Sequence, residues 1–210
     1  MTSPEALDRF TAALKASMQD YGVTLSGPTT QTLCDYYALL VRWNERLHLV
    51  APCTPEEFAT RHVLESLVLL RFLPEASTIC DIGSGAGLPI IPCMIARPDL
   101  TATLIESSQK KSVFLREALN QIGISNRGTI IAKSFEDVAS PAATFVTCRA
   151  LDEFISKVSA LVNWAPRGSK LLLFGGPTLR EKLEVTGARY TEFLMPLSEK
   201  RFLFEVKKDS

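Results

Sequence analysis

The feature that most constrains this chain is a glycine-rich segment that directly follows a short β-branched run. The segment reads Ile79-Cys80-Asp81-Ile82-Gly83-Ser84-Gly85-Ala86-Gly87. Glycine allows the backbone to turn sharply and to approach a ligand closely. A strand that enters such a turn before a helix is typical of α/β sheets, which bind ligands at the carboxyl ends of their strands. The segment therefore predicts an α/β fold with a ligand site at this turn.

The spacing of the glycines narrows the choice of ligand. Leu88 stands where the dinucleotide fingerprint has its last glycine, and no Gly-Lys-Ser/Thr follows, which excludes a Walker loop. A second predicted strand ends at Glu106, whose carboxylate can accept both hydroxyls of an adenosine ribose. Asp81 suits a ligand with a cationic amino group better than a pyrophosphate. Together these residues favour S-adenosylmethionine, and a nicotinamide dinucleotide or a turn without a ligand are the alternatives.

From about residue 76, short β-branched runs alternate with helical ones. This alternation predicts βαβ units and a mostly parallel sheet. The last two β-branched runs have no obvious crossover helix between them, so we expect them to form a closing antiparallel hairpin. The predicted strands are 78–82, 101–106, 129–132, 144–149, 170–174, 190–195 and 201–206, and the predicted helices are 110–122 and 152–164.

The first 75 residues have the pattern of helices only. Ser3-Pro4-Glu5 combines an N-cap, a proline at the first helical position and an early acid. A second helix is predicted over residues 29–47, and a third opens at the capping box Thr54-Pro55-Glu56-Glu57 and ends before Pro74. We therefore predict an N-terminal helical segment, 1–75, packed on a cofactor-binding domain, 76–210.

The composition excludes several classes of protein. The 210 residues include 23 basic and 23 acidic side chains, so a nucleic-acid site must be a local basic patch. A hydrophobic fraction of 46% is too high for a disordered chain. The five dispersed cysteines and two histidines predict neither a disulfide framework nor a metal site. The sequence has no signal-peptide or membrane-span pattern, so we expect a cytoplasmic protein. We also expect it to be a monomer.

The residues after the glycines resemble a known family. Leu88-Pro89 is followed by Ile91-Pro92 and Ala96-Arg97-Pro98. This pattern is similar to the RsmG (GidB) family, bacterial enzymes that methylate N7 of a guanine (the position 527 type) in 16S ribosomal RNA of the small subunit. Further matching pieces, in the same order, are Trp43-Asn44, His62-Val63-Leu64-Glu65-Ser66-Leu67, Lys110-Lys111, Phe114-Leu115-Arg116 and Arg149-Ala150. The resemblance spans roughly residues 36–175. It implies a Rossmann-like class I methyltransferase fold and S-adenosylmethionine as cofactor.

The resemblance, together with the acid at the end of the second strand, predicts the site residues. Arg149 is expected at the junction of cofactor and substrate as the catalytic residue, and Lys110 and Lys111 are expected on RNA. Without the resemblance, Glu136 would be interpreted as part of a solvated turn, Arg149 could make an ordinary salt bridge, and the two lysines could lie on a solvated face. The residues expected to bind the cofactor are Gly83, Gly85, Leu88, Glu106, Phe135, Glu136 and Arg149.

Three places in the chain depart from the family pattern. His48-Leu49-Val50-Ala51 stands where members usually carry Asn-Leu-Thr-Ala, Ser134 where they often carry arginine, and Phe174 where they typically carry lysine. Lys133 is a candidate replacement for the arginine. Because two expected cations are missing or displaced, two alternatives stay open. One is a methyltransferase of the same architecture with another target, and the other is a ribosome-assembly factor that binds the cofactor without transferring a methyl group.

The predicted chemistry needs little acid–base help. Guanine N7 carries a lone pair and no proton, so transfer depends mainly on alignment of the two reactants. This agrees with a sequence that has no Ser-His-Asp or Cys-His constellation. We expect His62 to cap or pack within the helical segment rather than to take part in catalysis, and Trp43 and Asn44 to tie that segment to the sheet.

Overall fold

A computed structural model of the chain describes residues 2–149 and 154–208. Within these ranges the chain forms a seven-stranded sheet with helices on both faces. The strands are β1 (Thr78–Ile82), β2 (Thr101–Ile105), β3 (Gly128–Ile131), β4 (Phe145–Cys148), β5 (Lys170–Gly175), β6 (Tyr190–Leu194) and β7 (Phe202–Lys207). The α-helices are α1 (Pro4–Ser17), α2 (Gly27–Leu47), α3 (Pro55–Glu57), α4 (Glu65–Leu67), α5 (Ile90–Ala96), α6 (Gln109–Gln121), α7 (Phe154–Trp164) and α8 (Pro177–Thr186).

The sheet has the predicted mixed topology. Its strand order is β3-β2-β1-β4-β5-β7-β6, in which β1 to β5 pair in parallel. β7 pairs antiparallel with both β5 and β6 and so closes the sheet with a hairpin. The predicted α/β fold with a mostly parallel sheet is therefore confirmed, and the observed strand bounds differ from the predicted ones by no more than two residues. The predicted start of α7 at Asp152 lies outside the described residues.

Two hydrophobic cores sandwich the sheet, because side chains of successive strand residues point to opposite faces. In β1, Ile79 packs with the N-terminal helices and α5, whereas Cys80 packs with α7 and α8. Residues from α1 and α2, such as Phe10 and Tyr36, belong to the first core together with strand residues. The helical segment thus shares its core with one face of the sheet, and the division into units 1–75 and 76–210 stays a prediction.

The third helix is not regular along its length. Thr54 forms the predicted capping box with Glu57 and starts α3. The backbone then widens into π-helical geometry over Phe58–Leu64, returns to α geometry in α4, and ends as a 3-10 turn over Val68–Arg71. The sequence predicted one continuous helix here. A π-helical stretch shifts its carbonyl oxygens relative to α geometry, and such stretches often occur at functional sites.

Two side chains of α2, those of Tyr36 and Trp43, place the helical segment against the rest of the chain. Tyr36 on α2 donates a hydrogen bond from its buried hydroxyl to the carbonyl of Ala86, 2.6 Å away in the glycine-rich turn. The Trp43 ring packs edge-on against Phe114 of α6 at 6.0 Å. Asn44 bonds instead to the loop after its own helix. The predicted tie to the sheet side therefore holds for Trp43 and is wrong for Asn44, because the amide group of Asn44 is used by Val50.

Candidate functional site

The glycine-rich turn has a backbone conformation that requires its glycines. Gly83, Gly85 and Gly87 have φ angles of 66°, 51° and 81°, in the left-handed region that other residues rarely adopt. At Gly87 a Cβ atom would also lie 2.3 Å from Cδ1 of Ile91, so any side chain here would force Ile91 to move. The turn is therefore fixed in one compact shape at the carboxyl end of β1.

The helix after the turn offers fewer N–H groups than a helix start usually does. α5 spans only Ile90–Ala96, and Pro89 and Pro92 have no N–H. The N–H of Ile91 donates to the carbonyl of Gly87 at 2.7 Å. Pro89, Ile91 and Pro92 therefore offer no unpaired backbone donor to a ligand.

Glu106 connects the glycine-rich turn to the end of β2. Its Oε2 accepts from the backbone N–H of Gly85 at 2.8 Å, and its Oε1 accepts from that of Ser108 at 2.8 Å. The residue is only 6% exposed. Each carboxylate oxygen keeps a lone pair for a further donor, so Glu106 both fixes the turn and presents acceptor capacity beside it.

A cavity of about 450 Å³ opens at the carboxyl ends of β1, β2 and β4. Its volume lies in the range of small-molecule and cofactor sites. Of the predicted site residues, the cavity brings together Gly83, Gly85, Leu88, Glu106, Phe135, Arg149 and Lys111. Its other lining residues include Ile82, Ser84, Ala86, Ile105, Ser107, Lys133, Ser134 and Lys157 on the sheet side and Leu49, Val50, Ala51 and His62 from the helical segment.

The turn after β3 forms one end of the cavity. Ser134 caps the 3-10 turn Phe135–Asp137, whose Phe135 ring is buried and packs edge-on against Trp164 at 5.6 Å. Glu136 lies beside the cavity rather than on its lining, and its carboxylate is 3.9 Å from the ammonium of Lys157. The role of Glu136 beside an adenine stays a prediction.

Arg149 reaches from the end of β4 into the helical segment. Its guanidinium donates to the carbonyl oxygens of Arg61 and His62 in the π-helical stretch. It also bonds to the hydroxyl of Ser66 and pairs with the carboxylate of Glu65 at 3.3 Å. The guanidinium thus joins the β4 edge of the cavity to the helical wall, and the ion pair that the sequence left as an alternative is present.

Phe174, near the end of β5, departs from the family pattern and packs on the same arginine. The Phe174 ring centroid lies 5.2 Å from the guanidinium carbon of Arg149, within the range of a cation–π contact. A lysine at this position would place a second cation against Arg149. The aromatic ring instead supports the guanidinium in its place.

The two lysines predicted on RNA separate in the structure. Lys111, in the first turn of α6, lines the cavity, whereas Lys110 is exposed to solvent away from its lining. Lys133 and Lys157 line the same cavity as Lys111. Among the described residues, the cavity lining therefore combines three ammonium groups and the guanidinium of Arg149 with one carboxylate, that of Glu106.

Asp81 occupies a different environment from Glu106. Its carboxyl is fully buried, accepts a hydrogen bond from the hydroxyl of Thr147 at 2.6 Å, and leaves Oδ2 without a partner among the described residues. It does not line the cavity. Burial raises the pKa of Asp81 to about 7, since an unpartnered carboxylate oxygen in the core disfavours the charged form.

Replacing Asp81 with asparagine is expected to remove a pH dependence of stability. Because the folded pKa of about 7 lies above the unfolded value of about 4, the stabilisation by Asp81 is full below pH 4 and is lost as pH rises through 7. Between these pH values the native chain should lose up to about 4 kcal/mol of unfolding free energy relative to Asp81→Asn. Urea unfolding of both proteins at a series of pH values measures this difference, and parallel pH curves would contradict it.

The structure adds cavity residues that sequence reasoning missed. His62 was expected to pack or cap inside the helical segment, yet it lines the cavity, as do residues 49–51 and Lys157. The sequence contained one signal for His62. It lies in the segment 62–67, which matches the family pattern and also contains Glu65 and Ser66. The spacing of apolar residues does not show that the turn containing His62 faces the end of β4, which lies more than eighty residues further along the chain.

In the described part of the chain, no helix is long and apolar enough to cross a membrane. The same residues contain no group of three or more histidine, cysteine or acidic side chains placed to hold a metal ion.

The fold and the position of the cavity define the class of protein. An O-methyltransferase from Bacillus cereus, solved in complex with SAH, superposes with a TM-score of 0.62 over 96% of this chain and 100% of that chain, at 13% identity. Mitomycin 7-O-methyltransferase MmcR gives a TM-score of 0.59 over 95% of this chain and 67% of that chain, at 16% identity. The chain has the Rossmann-like fold of the class I methyltransferases.

Sequence comparison identifies the family within this class. The model of the GidB family, rRNA small subunit methyltransferase G, matches residues 29–201, and the chain belongs to this family. Ribosomal RNA small subunit methyltransferase G of Xanthomonas axonopodis pv. citri is 36% identical over 86% of this chain and 84% of its own length. The Xanthomonas campestris pv. campestris protein of the same name is 38% identical over 82% and 80%. The family predicted from the sequence is confirmed.

Proposed function

We propose that this chain transfers a methyl group from S-adenosylmethionine to N7 of a guanine in 16S ribosomal RNA of the small subunit. The observation that carries the proposal is a cavity that combines the glycine-rich turn and Glu106 with three lysines and Arg149, in a member of the rRNA small subunit methyltransferase G family. The side of the cavity with the glycine-rich turn and Glu106 suits an adenosine cofactor. The cations on the cavity lining suit a polyanionic substrate.

The residues on the sheet side fit the cofactor. Glu106 presents carboxylate oxygens at the end of β2 for the ribose hydroxyls, and Phe135 and Leu88 offer apolar surface for the adenine. The tight turn at Gly83 and Gly85 lets the backbone lie close to the methionine part. When bound, S-adenosylmethionine supplies a methyl group on a positively charged sulfur.

The chain's own contribution to the reaction is alignment. Guanine N7 needs no base to activate it, and holding two reactants in line can lower a barrier by about 7–11 kcal/mol. Arg149 fixes the helical wall to the β4 edge and so sets the width of the space between cofactor and substrate. The buried carboxyl of Asp81 accepts a hydrogen bond from Thr147 below the turn and does not line the cavity.

The lysines on the cavity lining are placed for RNA phosphates. N7 is not accessible in the deep major groove of an A-form helix, so the target base must come from a loop or an unstacked position. Lys111, Lys133 and Lys157 line the cavity through which such a base would enter, and exposed Lys110 extends this charge along α6. Lys133 would supply the cation that Ser134 does not provide. Contacts to phosphate of this kind predict binding that weakens with salt.

Replacing Glu106 with alanine is expected to weaken cofactor binding by about 10- to 100-fold. The variant loses the acceptors for the ribose and the anchor of the Gly85 N–H, and hydrogen bonds to charged groups contribute about 1.5–3 kcal/mol each. Calorimetric titration with S-adenosylhomocysteine measures the affinity. Glu117→Ala, an exposed acid on α6, serves as the matched control. Equal affinities of the two variants would exclude Glu106 from the cofactor site.

The proposed reaction is tested with radiolabelled S-adenosylmethionine and small ribosomal subunits that lack the family's modification. We expect label on N7 of one guanine in 16S RNA. Label on another atom or molecule would indicate a methyltransferase with a different target. Cofactor binding without any label would indicate an assembly factor, and the affinity for S-adenosylhomocysteine is therefore measured on the same preparation.

A further inference from the structure

The cavity has a second wall that the cofactor residues leave unused. Leu49, Val50 and Ala51 form its apolar part, and His62 adds a polar side chain to it. All four belong to the helical segment, whereas the glycine-rich turn and Glu106 belong to the sheet side. The space between these two walls is where a substrate would meet the cofactor.

The apolar part of the wall is held in a defined position. Asn44 donates from Nδ2 to the carbonyl of Val50 at 3.1 Å, and its Oδ1 accepts from the N–H of Val50 at 2.9 Å. This paired contact fixes the loop after α2 to the last turn of that helix. The wall therefore exists before a ligand binds, which lowers the entropy cost of binding.

His62 is fixed from two sides but has a free nitrogen. Its ring packs against the ring of Phe58, with centroids 5.1 Å apart, and its carbonyl accepts from Arg149 at 3.4 Å. Nδ1 is buried and has no hydrogen-bond partner among residues 2–149 and 154–208. Buried polar atoms are nearly always paired, so the imidazole keeps hydrogen-bonding capacity that the described residues do not use.

We propose that this wall is a base-binding subsite, in which a purine base packs against residues 49–51 and forms a hydrogen bond with His62. The inference rests on the proposed function and names the part of the cavity that holds the target base. A neutral imidazole has one donor and one acceptor nitrogen, and a guanine edge offers groups that match either of them.

The charge of His62 suits the reaction. Burial, followed by the charge of nearby guanidinium groups, lowers the pKa of His62 to about 4, so the ring is neutral at pH 7. In the transfer, the lone pair of N7 forms the bond to the methyl carbon, and the electron pair of the carbon–sulfur bond goes to sulfur. The positive charge thus passes from sulfur to the purine. A neutral ring holds this base without the repulsion that an imidazolium would cause.

The subsite is tested directly by nuclear magnetic resonance. The chain has only two histidines, His62 and the exposed His48 outside the cavity, so ¹⁵N-labelled histidine gives two imidazole signals to assign. The full-length protein is first saturated with S-adenosylhomocysteine, which blocks the cofactor site, and guanosine monophosphate is then added. We expect a saturable shift of the His62 resonances and none at His48. Equal shifts of both histidines, or no shift, would overturn the proposal.

Kinetics with two variants provide a second, independent test. His62→Phe keeps an aromatic ring and removes both nitrogens, and it is expected to lower kcat/KM for small subunits by about 10- to 100-fold with an unchanged affinity for S-adenosylhomocysteine. His48→Asn is the matched control and should behave as the native chain. Native-like kcat/KM in His62→Phe would overturn the subsite alone. Absence of transfer by the native chain would overturn the proposed function, and the resonance shift would still decide the subsite.

Discussion

Replacing Glu65 with alanine is expected to lower the free energy of unfolding by about 3–5 kcal/mol. Glu65 is 1% exposed and bridges two cations, with Oε2 at 3.3 Å from Arg149 and Oε1 at 2.7 Å from Arg201. Removal of the carboxylate leaves the largely buried guanidinium of Arg149 without a carboxylate partner among the described residues. Because an unpaired buried charge is costly, the loss exceeds that of an ordinary core truncation of the same size.

The control for this prediction is an ion pair of similar geometry on the surface. Arg9 contacts Glu56 at 2.6 Å, and both side chains are more than 40% exposed. Solvent screens such pairs, so Glu56→Ala should lower the free energy of unfolding far less than Glu65→Ala does. Urea unfolding followed by circular dichroism measures both variants. A loss below about 1 kcal/mol in Glu65→Ala would mean that the buried network does not hold the helical segment to the sheet.

The parts of the fold that follow from local chemistry could be predicted from the sequence. Runs such as Thr78–Ile82 carry β-branched residues, and the glycines at 83, 85 and 87 occupy positions with positive φ. These signals are contained in a few adjacent residues. α8 was missed because its apolar face is short, with Leu179 and Leu183 as its buried residues. A pattern of two positions does not distinguish a helix from a loop.

The site was predictable where it follows the ends of strands, and less so where it depends on packing. Glu106 and Asp81 were both expected to anchor the cofactor, since both end or nearly end a predicted strand. Ile82 lines the cavity, and its neighbour Asp81 points away from it to Thr147, as the alternation of a strand requires. Glu106 lies just past β2, outside the regular alternation, and turns back to Gly85.

The wall from the helical segment could not be predicted, because its position depends on tertiary contacts. His62 reaches the cavity through a π-helical stretch whose carbonyl oxygens are held by Arg149. Arg149 follows His62 by 87 residues, and no local pattern connects the two. The sequence predicted that Arg149 has a role at the end of β4, but it did not predict which residues Arg149 contacts.

Replacing Arg149 with lysine is expected to lower the rate of methyl transfer by about a hundredfold or more. A lysine keeps the charge toward Glu65 but cannot reach the carbonyls of Arg61 and His62 at the same time, because it lacks the planar fork of the guanidinium. Release of these carbonyls lets the helical wall shift relative to the glycine-rich turn. A displacement of about 1 Å between reacting groups can cost a hundredfold in rate.

The measurement is single-turnover transfer to unmodified small subunits at saturating cofactor, with stability recorded in parallel. Arg46→Lys, an exposed position on α2, is the matched control and should keep the native rate. Arg149→Ala should be slower than Arg149→Lys and less stable, since it also leaves Glu65 with Arg201 as its remaining ionic partner among the described residues. A near-native rate in Arg149→Lys would show that charge alone suffices. The hydrogen bonds from the guanidinium to the carbonyls of Arg61 and His62 would then not be what aligns the two walls of the cavity.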